Sequence, residues 1–117
     1  MVASRDYTPA PGDIIWLTPV PAAGHEQAGR RPAIVISPAA YNTKVGLLLC
    51  CPITSQVKGY PFEVQLPPGL PVRGAVLSDQ VRSLDWRARS ADFACKAPSE
   101  ILTEVVSRLT ALLPSSG

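Results

Sequence analysis

Histidine occurs once in this chain and cysteine three times, and that scarcity removes two kinds of site at the outset. There is no Cys-x-x-Cys pair, and one histidine added to these cysteines does not make a four-ligand zinc set in any recognised spacing. An odd cysteine count that includes the adjacent pair Cys50-Cys51 is not a disulfide framework either. In a strand those two side chains point to opposite faces, so the expected role of the cysteines is that of reduced, mostly buried small hydrophobes in a cytoplasmic protein. Long apolar runs are missing too. The longest, residues 46–53, is far too short to span a bilayer, and residues 1–6 carry no apolar h-region, so neither a membrane span nor a secretory signal is expected. Charge is sparse at 17% with a formal net of +2, which permits an anionic partner without demanding one.

What is abundant is apolar surface and proline. Hydrophobic residues at 46% place the chain among globular proteins, and 117 residues imply one domain over residues 1–117 with a single core. Thirteen prolines favour strands, turns and loops over helices. Turn chemistry at Pro11-Gly12-Asp13 opens onto a first strand over residues 14–18, apolar on both faces and so expected to be covered on both. A second strand is expected over residues 31–37, ended by Pro38. Residues 39–46 suit one helical turn or a polar excursion. Residues 47–53 are the most apolar strand and belong at the centre of the sheet. Residues 62–66 alternate with period two, as a half-exposed strand does. Residues 74–84 read as extended with a bend near Ser78-Asp79. From Pro98 to Pro114 the apolar positions Ile101, Leu102, Val105, Leu109, Leu112 and Leu113 recur at helical steps, giving one amphipathic helix with Pro98 in its first turn. Short strands, one terminal helix and no βαβ rhythm mean a small, mainly antiparallel barrel.

The most chemically dense stretch is the loop of residues 24–32. There Glu26, the lone His25 and the adjacent Arg30 and Arg31 crowd together, with Gly24 and Gly29 bracketing the acid and the histidine. Glycines allow the loop positive φ, and Pro32 biases Arg31 to an extended conformation on a firm edge just before the second strand. Thr54, Ser55 and Gln56 place hydroxyl and amide groups at the mouth of the central strand, followed by Lys58 and Tyr60. Residues 85–89 interleave Trp86 with Arg87 and Arg89. In an extended segment the two arginines share a face, a pattern suited to stacking a base and meeting phosphate.

The blocks Pro11-Gly12-Asp13-Ile14-Ile15-Trp16, Glu26-Gln27-Ala28-Gly29-Arg30-Arg31-Pro32-Ala33, Ser37-Pro38, Tyr41-Asn42, Cys51-Pro52-Ile53-Thr54, Lys58-Gly59-Tyr60-Pro61-Phe62-Glu63-Val64 and Asp79-Gln80-Val81-Arg82-Ser83-Leu84-Asp85-Trp86-Arg87-Ala88-Arg89 occur in this order. Together they resemble the MazF/PemK family of toxin endoribonucleases over nearly the whole chain. The resemblance implies an SH3-like barrel with a C-terminal helix (the CcdB/PemK-like toxin fold), a homodimer, cleavage of single-stranded RNA at a short sequence motif, and inhibition by a cognate MazE-type antitoxin. Carried over by position, the family's arginine falls on Arg31, its threonine on Thr54 and its loop glutamate on Glu26. The chain departs from the family at Thr18 and Val20, where acidic residues are common, and at His25, where serine is.

The chemistry can be weighed from the residues alone. Cleaving RNA without a metal requires the substrate's own 2′-hydroxyl as nucleophile, a proton acceptor, a proton donor for the leaving oxygen, and positive charge on the phosphorane. Arg31 is planar and permanently charged, which suits phosphorane stabilisation. Thr54 can orient a phosphate oxygen. Glu26 is the candidate for proton acceptance or positioning, with His25 the alternative titrating group. Candidate RNA contacts are Gln27 and Arg30 in the loop, Ser55, Gln56, Lys58 and Tyr60 after the central strand, and Arg82, Trp86, Arg87 and Arg89. No His/Asp/Glu cluster has ligand spacing, so no metal site and no cofactor are expected. A rival class stays open: a non-catalytic SH3-like toxin or binding module of the gyrase-poison type, with Trp16, Tyr60 and Trp86 forming a peptide groove.

Overall fold

A computed structural model describes residues 6–19 and 29–114. The apolar runs become strands β1 (Asp13–Leu17), β2 (Arg31–Val35), β3 (Leu47–Thr54), β4 (Glu63–Gln65), β5 (Ala75–Leu77), β6 (Arg82–Asp85) and β7 (Asp92–Lys96), with helices α1 (Ala39–Val45) and α2 (Ser99–Thr110). All pairings are antiparallel. The strand order is β4-β5-β3-β2-β1-β7, and β6 also pairs with β3. The most apolar strand is therefore central, with β2 along one side and β5 and β6 sharing the other. The chain leaves β5 and enters β6 through a turn at residues 78–79, where the bend was expected. Among the described residues no pairing joins β4 to β7, so the expected barrel is a curved antiparallel sheet whose ladder stays open.

Both faces of that sheet are covered because its strands are apolar on both sides. Ile14, Ile34, Cys51 and Ile53 pack with Val76 and with Ile101 and Val105 of α2 on one face. Ile15, Leu17, Ala33, Val35, Leu48 and Cys50 pack with Leu84 and Trp86 on the other. Adjacent residues thus feed opposite cores, as the period of two requires, and each fully buried aliphatic side chain contributes about 1.5–3 kcal/mol over leaving it in water. The neighbouring thiols of Cys50 and Cys51 divide between the two cores in the same way. Burial pushes them up to about 11 and about 12, with Arg82 and then Arg89 pulling Cys50 part of the way back. Both remain protonated at neutral pH. No helix among the described residues is long and apolar enough to cross a membrane.

Two local expectations need correction. Residues 39–45 make two turns of helix, not one. Asn42, fully buried, explains why: its Nδ2 donates to the Pro9 carbonyl (2.8 Å), its Oδ1 accepts from Ser37 Oγ (2.5 Å), and its own carbonyl accepts from Trp86 Nε1 (3.0 Å). A fully satisfied buried amide holds that short helix against β3 where propensity alone would not. At the other end, Pro98 is the N-cap of α2, not a first-turn residue, and the helix stops at Thr110, leaving Leu112 and Leu113 exposed. Arg108 fixes the helix over β4 by donating from Nη1 to the carbonyl of Pro61 while Nε pairs with Glu104 at 2.7 Å.

Candidate active site

Arg31 is the first residue of β2 and lies opposite Leu17 of β1. Its backbone is held in the ladder and its side chain is exposed, so the firm edge expected from Pro32 is what the structure has. Gly29, two residues before it, takes φ +90°, a conformation that a Cβ would strain. Thr54 is the last residue of β3, paired with Ala75 of β5. Its Oγ1 accepts the Gln56 N–H at 3.0 Å, which fixes the side chain and leaves the hydroxyl proton able to donate to an anion. Gly74 presses on the same point: with φ +122°, a Cβ placed there would fall 1.9 Å from the Thr54 carbonyl oxygen. Gly74→Ala should therefore displace the end of β3. We expect at least about a tenfold loss of activity from misplacing Thr54, read as an RNA cleavage rate beside a thermal melt.

Arg31 and Thr54 open into one cleft of about 970 Å³, whose floor includes Leu17, Ala33, Cys50 and Leu84 and whose walls carry Arg31, Arg73, Arg82 and Arg89. Ser55, Gln56 and Gln80 line it as well, and among its described lining residues there is no carboxylate, imidazole or lysine. Four guanidiniums with no counter-charge among the described lining residues, set on an apolar floor, make a local potential stronger than the net charge of +2 suggests, because low-dielectric walls focus the field. A second cavity of about 430 Å³ shares Thr54, Gln56, Leu77 and Gln80 with the first and adds Lys58, Tyr60 and Glu63. Glu63 holds this rim by accepting the backbone N–H groups of Lys58 and Gly59 at 2.9–3.2 Å. The Tyr60 hydroxyl donates to Asp79 Oδ2 at 2.7 Å, and that bond raises the phenol above its ordinary value.

The candidates from sequence thus divide. Arg31, Thr54, Ser55, Gln56, Arg82 and Arg89 meet in the larger cleft, and Lys58 and Tyr60 in the adjoining cavity. Glu26 and Gln27, with His25, lie outside the described residues. Trp86 is no stacking platform: it is 5% exposed, inside the core, with its indole N–H bound to Asn42. Burial of Trp86 also removes one wall of the three-aromatic peptide groove. Residues 86–90 are a turn, not an extended run, because Asp85 Oδ1 accepts the N–H groups of Arg87 (3.1 Å) and Ala88 (2.9 Å) and curls the chain. Arg87 then lies over the Trp86 ring at 4.2 Å outside both cavities, while Arg89 enters the cleft, so the two arginines do not share a face. Arg30 is not displayed to a ligand; Asp92 and two backbone carbonyls hold it. Arg73 and Gln80 line the cleft without having been singled out. The signal for Arg73 was its neighbour Gly74, whose close approach brings the segment onto Thr54.

Residues 10–113 match the family described as PemK-like, MazF-like toxin of type II toxin–antitoxin system. The chain is 47% identical over 107 residues to the endoribonuclease toxin MazF of Escherichia coli K12, covering 92% of this chain and 96% of that protein. The fold matches the crystal structure of MazF (Form-I) from Deinococcus radiodurans with a TM-score of 0.82 at 56% identity, over 92% of this chain and 97% of that one. It matches MazE-MazF (Form-II) from the same organism with a TM-score of 0.85 at 50% identity, over 95% of this chain and all (100%) of the other. The family match and the E. coli likeness each run over most of the chain and take in both Arg31 and Thr54; this chain belongs to the PemK-like, MazF-like toxins of type II toxin–antitoxin systems.

Proposed function

We propose that this chain is a sequence-specific, metal-independent endoribonuclease toxin that cleaves single-stranded RNA, mRNA above all, in the cytoplasm. The observation that carries the reading is the cleft where Arg31, Arg73, Arg82 and Arg89 surround the Thr54 hydroxyl with no carboxylate or imidazole among the described lining residues. That donor set favours a polyanion. The relatives named as endoribonucleases agree with it.

In this reading the substrate's 2′-hydroxyl loses its proton and attacks the adjacent phosphorus, the bond from phosphorus to the 5′-oxygen of the next nucleotide breaks, that oxygen takes a proton from water, and a 2′,3′-cyclic phosphate and a 5′-hydroxyl result. The neighbouring hydroxyl is already an intramolecular nucleophile with a large effective concentration. Arg31 neutralises the charge that develops on the phosphorane oxygens, Thr54 donates to a phosphate oxygen and sets its orientation, and Glu26 accepts the proton directly or through water. Arg82 and Arg89 track the backbone phosphates with Ser55 beside them in the cleft, and Lys58, Tyr60 and Gln56 face the flanking nucleotide in the adjoining cavity.

The active unit is a homodimer, supported by apolar side chains left in water on one small chain: Phe93, Val106, Leu112 and Leu113 are 41–58% exposed. A MazE-type antitoxin is the cognate inhibitor, its acidic segment covering the arginine cleft and ordering as it binds. Incubation of the purified protein with mixed-sequence RNA in EDTA tests the activity: discrete cleavage sites are expected, and intact RNA would refute it. Antitoxin should compete with RNA for the cleft, and an unchanged RNA affinity at saturating antitoxin would refute the shared surface.

A further inference from the structure

Arg30 precedes the residue assigned to the phosphate, and its side chain goes the other way. Its Nη1 lies 2.5 Å from Oδ2 of Asp92, and its Nη2 donates to the carbonyls of Trp16 (3.2 Å) and Ser90. In the sheet register Trp16 stands between Pro32 of β2 and Asp92 of β7. The Arg30 side chain therefore crosses the end of β1 and ties three neighbouring segments together at the start of β2. A second tie lies beside it: Thr18 N–H donates to the Arg89 carbonyl (2.9 Å) and Arg89 Nε donates to the Thr18 carbonyl (2.6 Å). Ser90, whose carbonyl Arg30 holds, has φ +52° and is the one non-glycine residue at positive φ among the described residues. A residue with a Cβ takes that conformation only where its surroundings impose it.

We infer that Arg30 and Asp92 form a positioning pair for Arg31: the pair fixes the first residue of β2 against β1 and β7 so that the next guanidinium points into the cleft. The inference rests on the assignment of Arg31 to the scissile phosphate proposed above. A misplacement of roughly 1 Å in a group acting on the transition state costs about a hundredfold in rate. The pair is half exposed, with side-chain accessibilities of 34% and 46%, so solvent screens it and its loss should shift Arg31 by less than that. The Trp16 and Ser90 carbonyls still hold Arg30 when the carboxylate is gone. About a tenfold loss of cleavage rate is therefore expected. Affinity should barely change, because the ground-state attraction for RNA comes from the remaining arginines of the cleft.

The test uses an oligonucleotide carrying the motif found with mixed-sequence RNA, with single-turnover cleavage rates and with affinities measured on DNA of the same sequence. Asp92→Asn and Arg30→Ala should each slow cleavage about tenfold and alter affinity by less than about twofold. The double variant should be no slower than the slower single, and Asp92→Glu should recover most of the rate. Wild-type cleavage by Asp92→Asn, with Arg31→Ala inactive, would overturn the positioning pair and leave the cleft assignment standing. A tenfold loss of affinity in Arg30→Ala alone would put Arg30 on the nucleic acid and overturn it equally. Undiminished cleavage by Arg31→Ala would remove the assignment itself, and the pair with it.

Discussion

Replacing Arg31 by alanine should lower the RNA cleavage rate by at least about a hundredfold, the loss of about 3 kcal/mol or more that follows from removing one donor aimed at transition-state charge. The fold should survive, because Arg31 is exposed and meets its neighbour Leu17 through the backbone ladder. A melting temperature close to that of the parent protein is therefore part of the expectation. Arg31→Lys should recover little, since an ammonium does not reproduce the paired, planar contact of a guanidinium with phosphate oxygens. Arg30→Ala should cost about tenfold through misplacement. Equal losses in the two alanine variants would mean that the phosphate-facing residue has been misassigned.

The second large effect belongs to the substrate. A single deoxynucleotide placed just 5′ of the scissile phosphate should stop cleavage while leaving binding intact, and DNA of the same sequence should act as an inhibitor. The hydroxyl removed is the nucleophile, and an effective molarity of about 10⁵–10⁸ M disappears with it. In the proposed reading the strand is held by guanidiniums on phosphate, which a deoxy sugar leaves in place. The expected readout is an undetectable rate beside an affinity within a few-fold of the parent strand. Cleavage of the substituted strand at an undiminished rate would mean that water or another external nucleophile attacks.

Part of the candidate cleft was legible because its residues sit where sequence signals are strong. Pro32 marked Arg31 as the start of a strand, and the apolar run of β3 marked Thr54 as its mouth. The four-arginine wall was less so. Arg82 and Arg89 come from β6 and the following turn, and Arg73 reaches the same cleft from the segment before β5. What gathers them is long-range pairing, with β3 taking β5 and β6 along one side. No periodicity within either segment states that. The Arg30–Asp92 contact spans 62 positions in sequence and was equally hidden; an arginine beside a candidate catalytic arginine looks like a second ligand contact until its partner is seen.

Failures of the sequence reading have physical causes. Trp86 looked like a base-stacking residue because it is flanked by arginines, but a charged neighbour says nothing about where a ring points. The carbonyl of Asn42 accepts its N–H and the core takes the rest. The turn at residues 86–90 was missed because Asp85 was read as one more strand residue, although an aspartate that caps two following N–H groups is a turn signal in its own right. β7, with the sequence Asp-Phe-Ala-Cys-Lys, carries charge at both ends and was not singled out as a strand. It exists because β1 offers it an edge. The helix was legible as a stripe and overextended at its end, since Leu112 and Leu113 keep helical spacing but lie beyond Thr110 and bury little.

The most direct test of the central claim, that this cleft cleaves RNA through the substrate's own 2′-hydroxyl, is the chemistry of the product ends. Mixed-sequence RNA cut by the purified protein in EDTA should yield, by mass spectrometry, 5′-hydroxyl fragments paired with 2′,3′-cyclic phosphates or the 3′-phosphates they open to. Fragments bearing 5′-phosphate and 3′-hydroxyl ends, formed only when magnesium is returned, would contradict it.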